Sequence, residues 1–323
     1  MHALPAPVAA LNNAKRPYLT DGGFETWLFF QQGFEAPEFA AITLMRNADA
    51  RAAMRRYFDA FLAMAEQADT GFVLDTNSWR GCVSWAPALG LSEEALLDLT
   101  DEAIRFAAEI RDAWRGRIAP VVLNGVVGPS GDGYSAEAAP TAEQALALHR
   151  PQIERLARGG VDMISALTMT SSAEAIGVAR AAGAVGLPVV ISFTVETDGR
   201  LPSGERLEAA IEETDRASQS EGGAAPIYYM VNCAHPDHFG DEVSGGGEWR
   251  RRIGGLRANA SRLSHAELDE AETLDDGDPQ EFGALHEALV AKLPNIKVLG
   301  GCCGTDHRHV GCVSQRLHGP IAA

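Results

Sequence analysis

The chain predicts a single (β/α)8 barrel, and three observations carry that prediction. Short apolar, β-branched runs recur along the whole of the 323 residues. Most of them lead into a small polar or glycine-containing cluster and then into a helical pattern. No long linker interrupts the alternation, so residues 1–323 are read as one domain, with 1–16 an irregular N-terminal extension. Strand, turn and helix repeated eight times is the signature of the barrel, and its active site belongs at the C-terminal ends of the strands.

Taken in order, the clear strand candidates are residues 17–20, 72–74, 118–125, 161–167, 188–193, 227–233 and 295–299; residues 255–260 form a weaker eighth. Helical patterns fill 47–68, 92–115, 141–158, 172–182 and 279–293. Thr141 and Gln144 have the spacing of a capping box ahead of an apolar stripe. Residues 240–255, rich in glycine, and 268–278, rich in acid, read as mobile surface.

Composition narrows the function. At 46% hydrophobic and 22% charged residues the chain matches a water-soluble globular enzyme. Five cysteines without regular spacing argue against a secreted disulfide framework and for the reducing cytoplasm. The start, Met1 to Pro17, lacks the basic-then-apolar form of a signal peptide. No apolar stretch is long enough to cross a membrane. A net charge of −17 disfavours nucleic acid and mildly favours cationic substrates. The oligomeric state is not legible in a single sequence.

The most informative segment is Gly300-Gly301-Cys302-Cys303-Gly304-Thr305. Neighbouring cysteines are too close to bridge each other readily. The glycines leave the backbone free to turn both sulfurs toward one point, as a metal ion requires. Cys233, at the end of the sixth strand candidate, is the best third thiol. Three thiolates leave a tetrahedral zinc one open position, the arrangement of a catalytic site. Cysteine also packs as a small buried hydrophobe, and Cys82 and Cys312 are read in that way.

Asp21-Gly22-Gly23, Val231-Asn232-Cys233 and the glycine–cysteine segment, in that order, resemble the zinc-dependent homocysteine S-methyltransferases. That family includes the betaine–homocysteine enzymes and the homocysteine-binding module of cobalamin-dependent methionine synthase. The resemblance runs from about Tyr18 to Val310. It implies a barrel whose catalytic Cys233, Cys302 and Cys303 hold Zn2+. It implies methyl transfer from an onium donor (S-methylmethionine, S-adenosylmethionine or a betaine) to the thiolate of homocysteine, giving methionine. The expected partners are thus a small thiol acceptor and the donor, with no nucleic acid and no membrane. Without cobalamin- or folate-binding modules, methyltetrahydrofolate is not the expected donor. Another thiol or selenol acceptor, a zinc-dependent hydrolase and a non-catalytic zinc barrel are the alternatives.

The substrate-binding set carried over is Asp21, Gly22, Gly23, Glu25, Thr168 and Asn232. Two departures stand out. Many relatives end strand four with Glu-Thr, the acid holding the amino group of homocysteine; here the pair is Leu167-Thr168. Glu25 stands where relatives carry a small residue, and it is expected to take over the ammonium. Asn232 is expected to orient the site through hydrogen bonds. Phe24, Trp27, Trp79, Trp85 and Tyr134 follow the first three strands, and at least one should line the donor site, where aromatic faces attract onium groups. Thr76, Asn77, Ser130 and Glu196 are polar rim residues of open role. His307 and His309 offer an alternative Cys–His set, though both are expected to face solvent.

Overall fold

Strands buried on both faces read as continuous apolar runs, and eight of them close into one parallel barrel. The computed structural model describes residues 3–118, 120–220 and 225–319. The strands are β1 (Tyr18–Leu19), β2 (Phe72–Asp75), β3 (Val121–Val127), β4 (Met163–Met169), β5 (Val189–Phe193), β6 (Tyr228–Asn232), β7 (Ile253–Ala258) and β8 (Val298–Gly301). They pair in sequence order, and β1 meets β8 through Tyr18↔Val298 and Leu19↔Leu299. The third strand starts at Val121, later than predicted, and Ala119 of that prediction lies outside the described residues.

Side chains alternate along each strand. Val73, Val122, Met163, Val190, Tyr228, Met230 and Val298 fill the barrel, whereas Phe72, Leu74, Leu123 and Ile191 pack outward against the helices. Within the N-terminal extension, the described residues 3–16 are partly helical. They contain α1 (Ala6–Asn12), whose Val8 and Leu11 are fully buried among the interior side chains. An apolar barrel end left open to water would be costly, and this helix closes it.

Every strand is followed by a helix. The β1 loop turns through α2 (Phe24–Thr26) and a π-helical turn, Trp27–Gln31, before α3 (Ala48–Gln67). Then come α4 (Glu93–Ala113), α5 (Ala142–Arg158), α6 (Ser172–Ala184), α7 (Leu207–Ser220), α8 (Pro236–Ser244), the short α9 (His265–Asp269), α10 (Pro279–Val290) and α11 (His307–His318). Asn47 and Ser92 cap their helices, and Thr141 and Gln144 form the expected capping box.

Residues 240–255 are better built than their glycines imply. They hold the end of α8, a 3₁₀ turn at Glu248–Arg252 and the start of β7. Trp249 is buried there, and Arg252 makes a bidentate pair with Asp215 at 2.7 and 2.8 Å. Cys82 and Cys312 also have more company than expected: Ser84 Oγ donates to Cys82 Sγ at 3.2 Å, and Gln280 Nε2 to Cys312 Sγ at 3.1 Å.

Candidate metal centre and substrate pocket

Three sulfurs meet at the C-terminal mouth. Cys233 follows β6, and Cys302 and Cys303 follow β8, and their sulfurs all lie within 4.8 Å of one another. Among the described residues this is the one group of its kind. Cys233 and Cys302 have their sulfurs in bonding contact, with Cα atoms 5.4 Å apart. Cys233 and Cys303 are 3.7 Å apart, sulfur to sulfur. Burial pushes the Cys303 thiol up to about 11.

The glycines before the pair act differently from the reading above. A Cβ on Gly301 would stand 2.0 Å from Thr305 Oγ1, and one on Gly300 2.4 Å from Thr20 Cγ2. Close approach of β8 to the end of β1 therefore demands Gly300, and the tight fold-back of the cysteine loop onto β8 demands Gly301. Cys233 itself sits at φ 53°, a left-handed conformation that side chains resist. Its carbonyl is held by His265 Nε2 at 2.6 Å and Thr194 Oγ1 at 3.2 Å, and His265 Nδ1 meets Glu196 at 2.7 Å. Glu196 thus serves through His265, a residue the sequence reading missed. The capping box of α9, Ser264 with Glu267, is the local signal that marked its position.

Asn232 sits at the centre of a hydrogen-bond network between β4, β5 and the sulfurs. Its Oδ1 accepts from Thr168 N at 2.9 Å and Ser192 Oγ at 2.6 Å, while Nδ2 donates to Thr168 Oγ1 and approaches Cys302 Sγ at 3.8 Å. Thr168, at φ 63°, is fixed by this one amide. Gly22 N donates to Tyr57 Oη and Gly23 N to Thr305 O. Gly22 thereby ties the β1 loop to α3 and Gly23 ties it to the cysteine loop, with neither N–H left pointing at a ligand. Tyr134 Oη lies 3.8 Å from Cys233 Sγ and 3.7 Å from Cys303 Sγ, its ring stacked on His265.

Beneath the sulfurs lies a buried ionic floor. Arg257 pairs with Asp21 at 2.5 Å and also with Asp75, and Asn124 Nδ2 donates to Asp75 at 2.7 Å. Burial, with Asp75 adding to it, pushes the Asp21 carboxyl up to about 7 against the pull of Arg257. Glu25, half-buried on the wall of the same cavity, is likewise pushed up to about 7 by burial. Among the described residues it has no ion-pair partner.

The cavity holds about 280 Å³ and reaches from Asp21 to the rim aromatics. Phe24, Trp79 and Tyr134 line it, as does Leu167. Trp27 packs on Tyr57, and Trp85 donates to Pro129 O. Two rim rings escaped the sequence reading: Phe30 and Phe39 are 43% and 47% exposed. Residues of the acid-rich segment, Leu268 to Asp275, form part of the wall as well. Thr76 and Asn77 also line the cavity, though Thr76 Oγ1 bonds Ser78 and Asn77 Nδ2 bonds Met54 Sδ. Ser130 N donates to Glu174. His307 is exposed, but His309 is fully buried, bonding Asp276 O and capping α11. Neither histidine joins the sulfurs.

Fold and site together define a class: a (β/α)8 enzyme with three cysteine sulfurs converging on one cavity. The chain belongs to the homocysteine S-methyltransferase family, whose model matches residues 18–317. Its activity is methyl transfer to a thiol. Crystal structures of the homocysteine methyltransferase MmuM from Escherichia coli share the fold. The oxidized form aligns at TM-score 0.73 and 18% identity, over 97% of this chain and 100% of that one. The metallated form aligns at TM-score 0.71 and 18% identity, over 96% and 99%. Among the described residues no helix is long and apolar enough to cross a membrane.

Proposed function

We propose that this chain is a zinc-dependent S-methyltransferase that moves a methyl group from an onium donor to homocysteine, giving methionine. The observation that carries the reading is the convergence of Cys233, Cys302 and Cys303 within 4.8 Å. A tetrahedral zinc with sulfur ligands at about 2.3 Å needs sulfurs about 3.8 Å apart. The 3.7 Å between Cys233 and Cys303 suits that edge. Zinc, when bound, would lower the pKa of the acceptor thiol, so that no side-chain base is required.

The rest falls to the chain's own groups. Three cysteine thiolates keep the centre electron-rich. Asn232 holds Thr168 and approaches Cys302, and the Tyr134 hydroxyl donates toward Cys233 and lies 3.7 Å from Cys303 Sγ. Glu25 supplies the carboxylate for the acceptor's ammonium, in place of the acid missing at Leu167. Phe39 and Phe30 offer faces to the onium group, since the faces of Trp79 and Trp85 already carry Arg80. The test is a screen of the zinc-loaded protein with homocysteine and, in turn, S-methylmethionine, S-adenosylmethionine and glycine betaine. Methionine should form with at least one donor. No methionine with any of them, zinc being bound, would overturn the reading. Product from another thiol alone would move the acceptor.

A further inference from the structure

Two arginines line the cavity, and they differ in what they hold. Arg257 is committed: Asp21 and Asp75 take its guanidinium, and Nε donates to Gly301 O. Its single positive charge already faces two carboxylates, so none is left to balance a ligand carboxylate. Arg80 is clamped without being neutralised. Its guanidinium carbon lies 4.2 Å from the Trp79 ring and 3.8 Å from the Trp85 ring. Nε donates to Glu38 O at 3.3 Å and Nη1 to Gly131 O at 3.1 Å, leaving Nη2 unbonded. Among the described residues no carboxylate comes within ion-pair distance of it, although Glu25, Glu38 and Asp132 share the cavity wall.

A half-buried guanidinium, its plane fixed by two indoles and its charge unpaired, is preorganised for a planar anion. It is also a poor neighbour for an onium group, so a role in cation binding is excluded. Cys302 and Cys303, Glu25 and Arg80 all line this one cavity. An amino-acid substrate has three matching points: sulfur, ammonium and carboxylate.

We propose that Arg80 binds the α-carboxylate of an amino-acid substrate and so sets the specificity of the site. The inference rests on the methyl-transfer reading above. The carboxylate could belong to the thiol acceptor or to the sulfonium donor, and the two arms of the test separate these sources.

In the first arm, homocysteine is compared with 3-aminopropane-1-thiol, which lacks the carboxylate, at fixed S-methylmethionine. In the second, S-methylmethionine is compared with (3-aminopropyl)dimethylsulfonium at fixed homocysteine. Wild type should prefer the carboxylated member by roughly 10- to 100-fold in kcat/KM in one arm, the worth of one charge-assisted hydrogen-bonded pair. Arg80→Met should erase that preference by weakening only the carboxylated substrate, and Arg80→Lys should restore part of it. Calorimetric binding of the same four compounds reads the contrast without turnover, so a protein that never makes methionine would sink the functional reading while still reporting on Arg80. Zinc content and thermal unfolding of the variants guard against misfolding. Equal losses for carboxylated and decarboxylated members in both arms would overturn the proposal, because a merely structural Arg80 harms both alike.

Discussion

The two halves of the barrel mouth tell different stories. At β6 and β8 the wall is built of sulfur and amide groups, with Asn232, Cys233, Cys302 and Cys303 drawn together. At β1, β2 and β4 the wall is built of carboxylates and apolar groups instead. Leu167 and Glu25 line it, and Asp21 and Asp75 are bridged by Arg257 from β7. The half that would hold the metal is constrained by the geometry of three sulfurs, whereas the half that grips substrate can exchange one charge arrangement for another. On the proposed reading, chemistry and specificity fall to different residues of one cavity.

The largest effect should come from the sulfur side. Cys233→Ser removes one of three thiolates and should reduce both bound zinc and methyl transfer by at least 10²-fold, on the order expected for loss of a ligand. Zinc per chain after gel filtration is the measurement, and full retention would take Cys233 out of the centre. Next is the ionic floor. Arg257→Met leaves Asp21 and Asp75 facing each other without a counter-charge, and should cost about 3–5 kcal/mol in urea unfolding. A loss below about 1 kcal/mol would mean that water already reaches this pair.

The smallest effect belongs to Glu25. Glu25→Gln should raise the KM for homocysteine about 10-fold with kcat little changed, since one charged hydrogen bond is removed. The pH dependence of stability sharpens this. The folded-state pKa of Glu25 is raised from 4.5 to about 7. Between those values the folded protein keeps a proton that the unfolded chain has lost. Stability should therefore fall as pH rises from about 4.5 to about 7, and Glu25→Gln should flatten part of that fall, the remainder belonging to Asp21. An unchanged slope in the variant would show Glu25 to be solvated.

Much of the fold was legible because parallel strands buried on both faces leave continuous apolar runs, as at Val189–Phe193 and Tyr228–Asn232. The weakest strand prediction, β7, contains Gly254, Gly255 and the buried Arg257, none of them a strand former. The helix Ala6–Asn12 was missed since its burial depends on the open barrel end, a tertiary fact. The cysteines were legible through an unusual local pattern. His265, Arg257 and Arg80 were not, because a lone histidine or arginine carries no spacing signal until the fold supplies its partners. The acid-rich stretch Leu268 to Asp275 looked like loose surface for the same reason: only the closed barrel shows what its side chains line.

The most direct test of the central claim is X-ray absorption at the zinc edge, taken with and without homocysteine. The account predicts three sulfur neighbours at about 2.3 Å in the free protein and four once the thiol is added. A zinc shell dominated by nitrogen or oxygen, or a sulfur count unmoved by homocysteine, would contradict it.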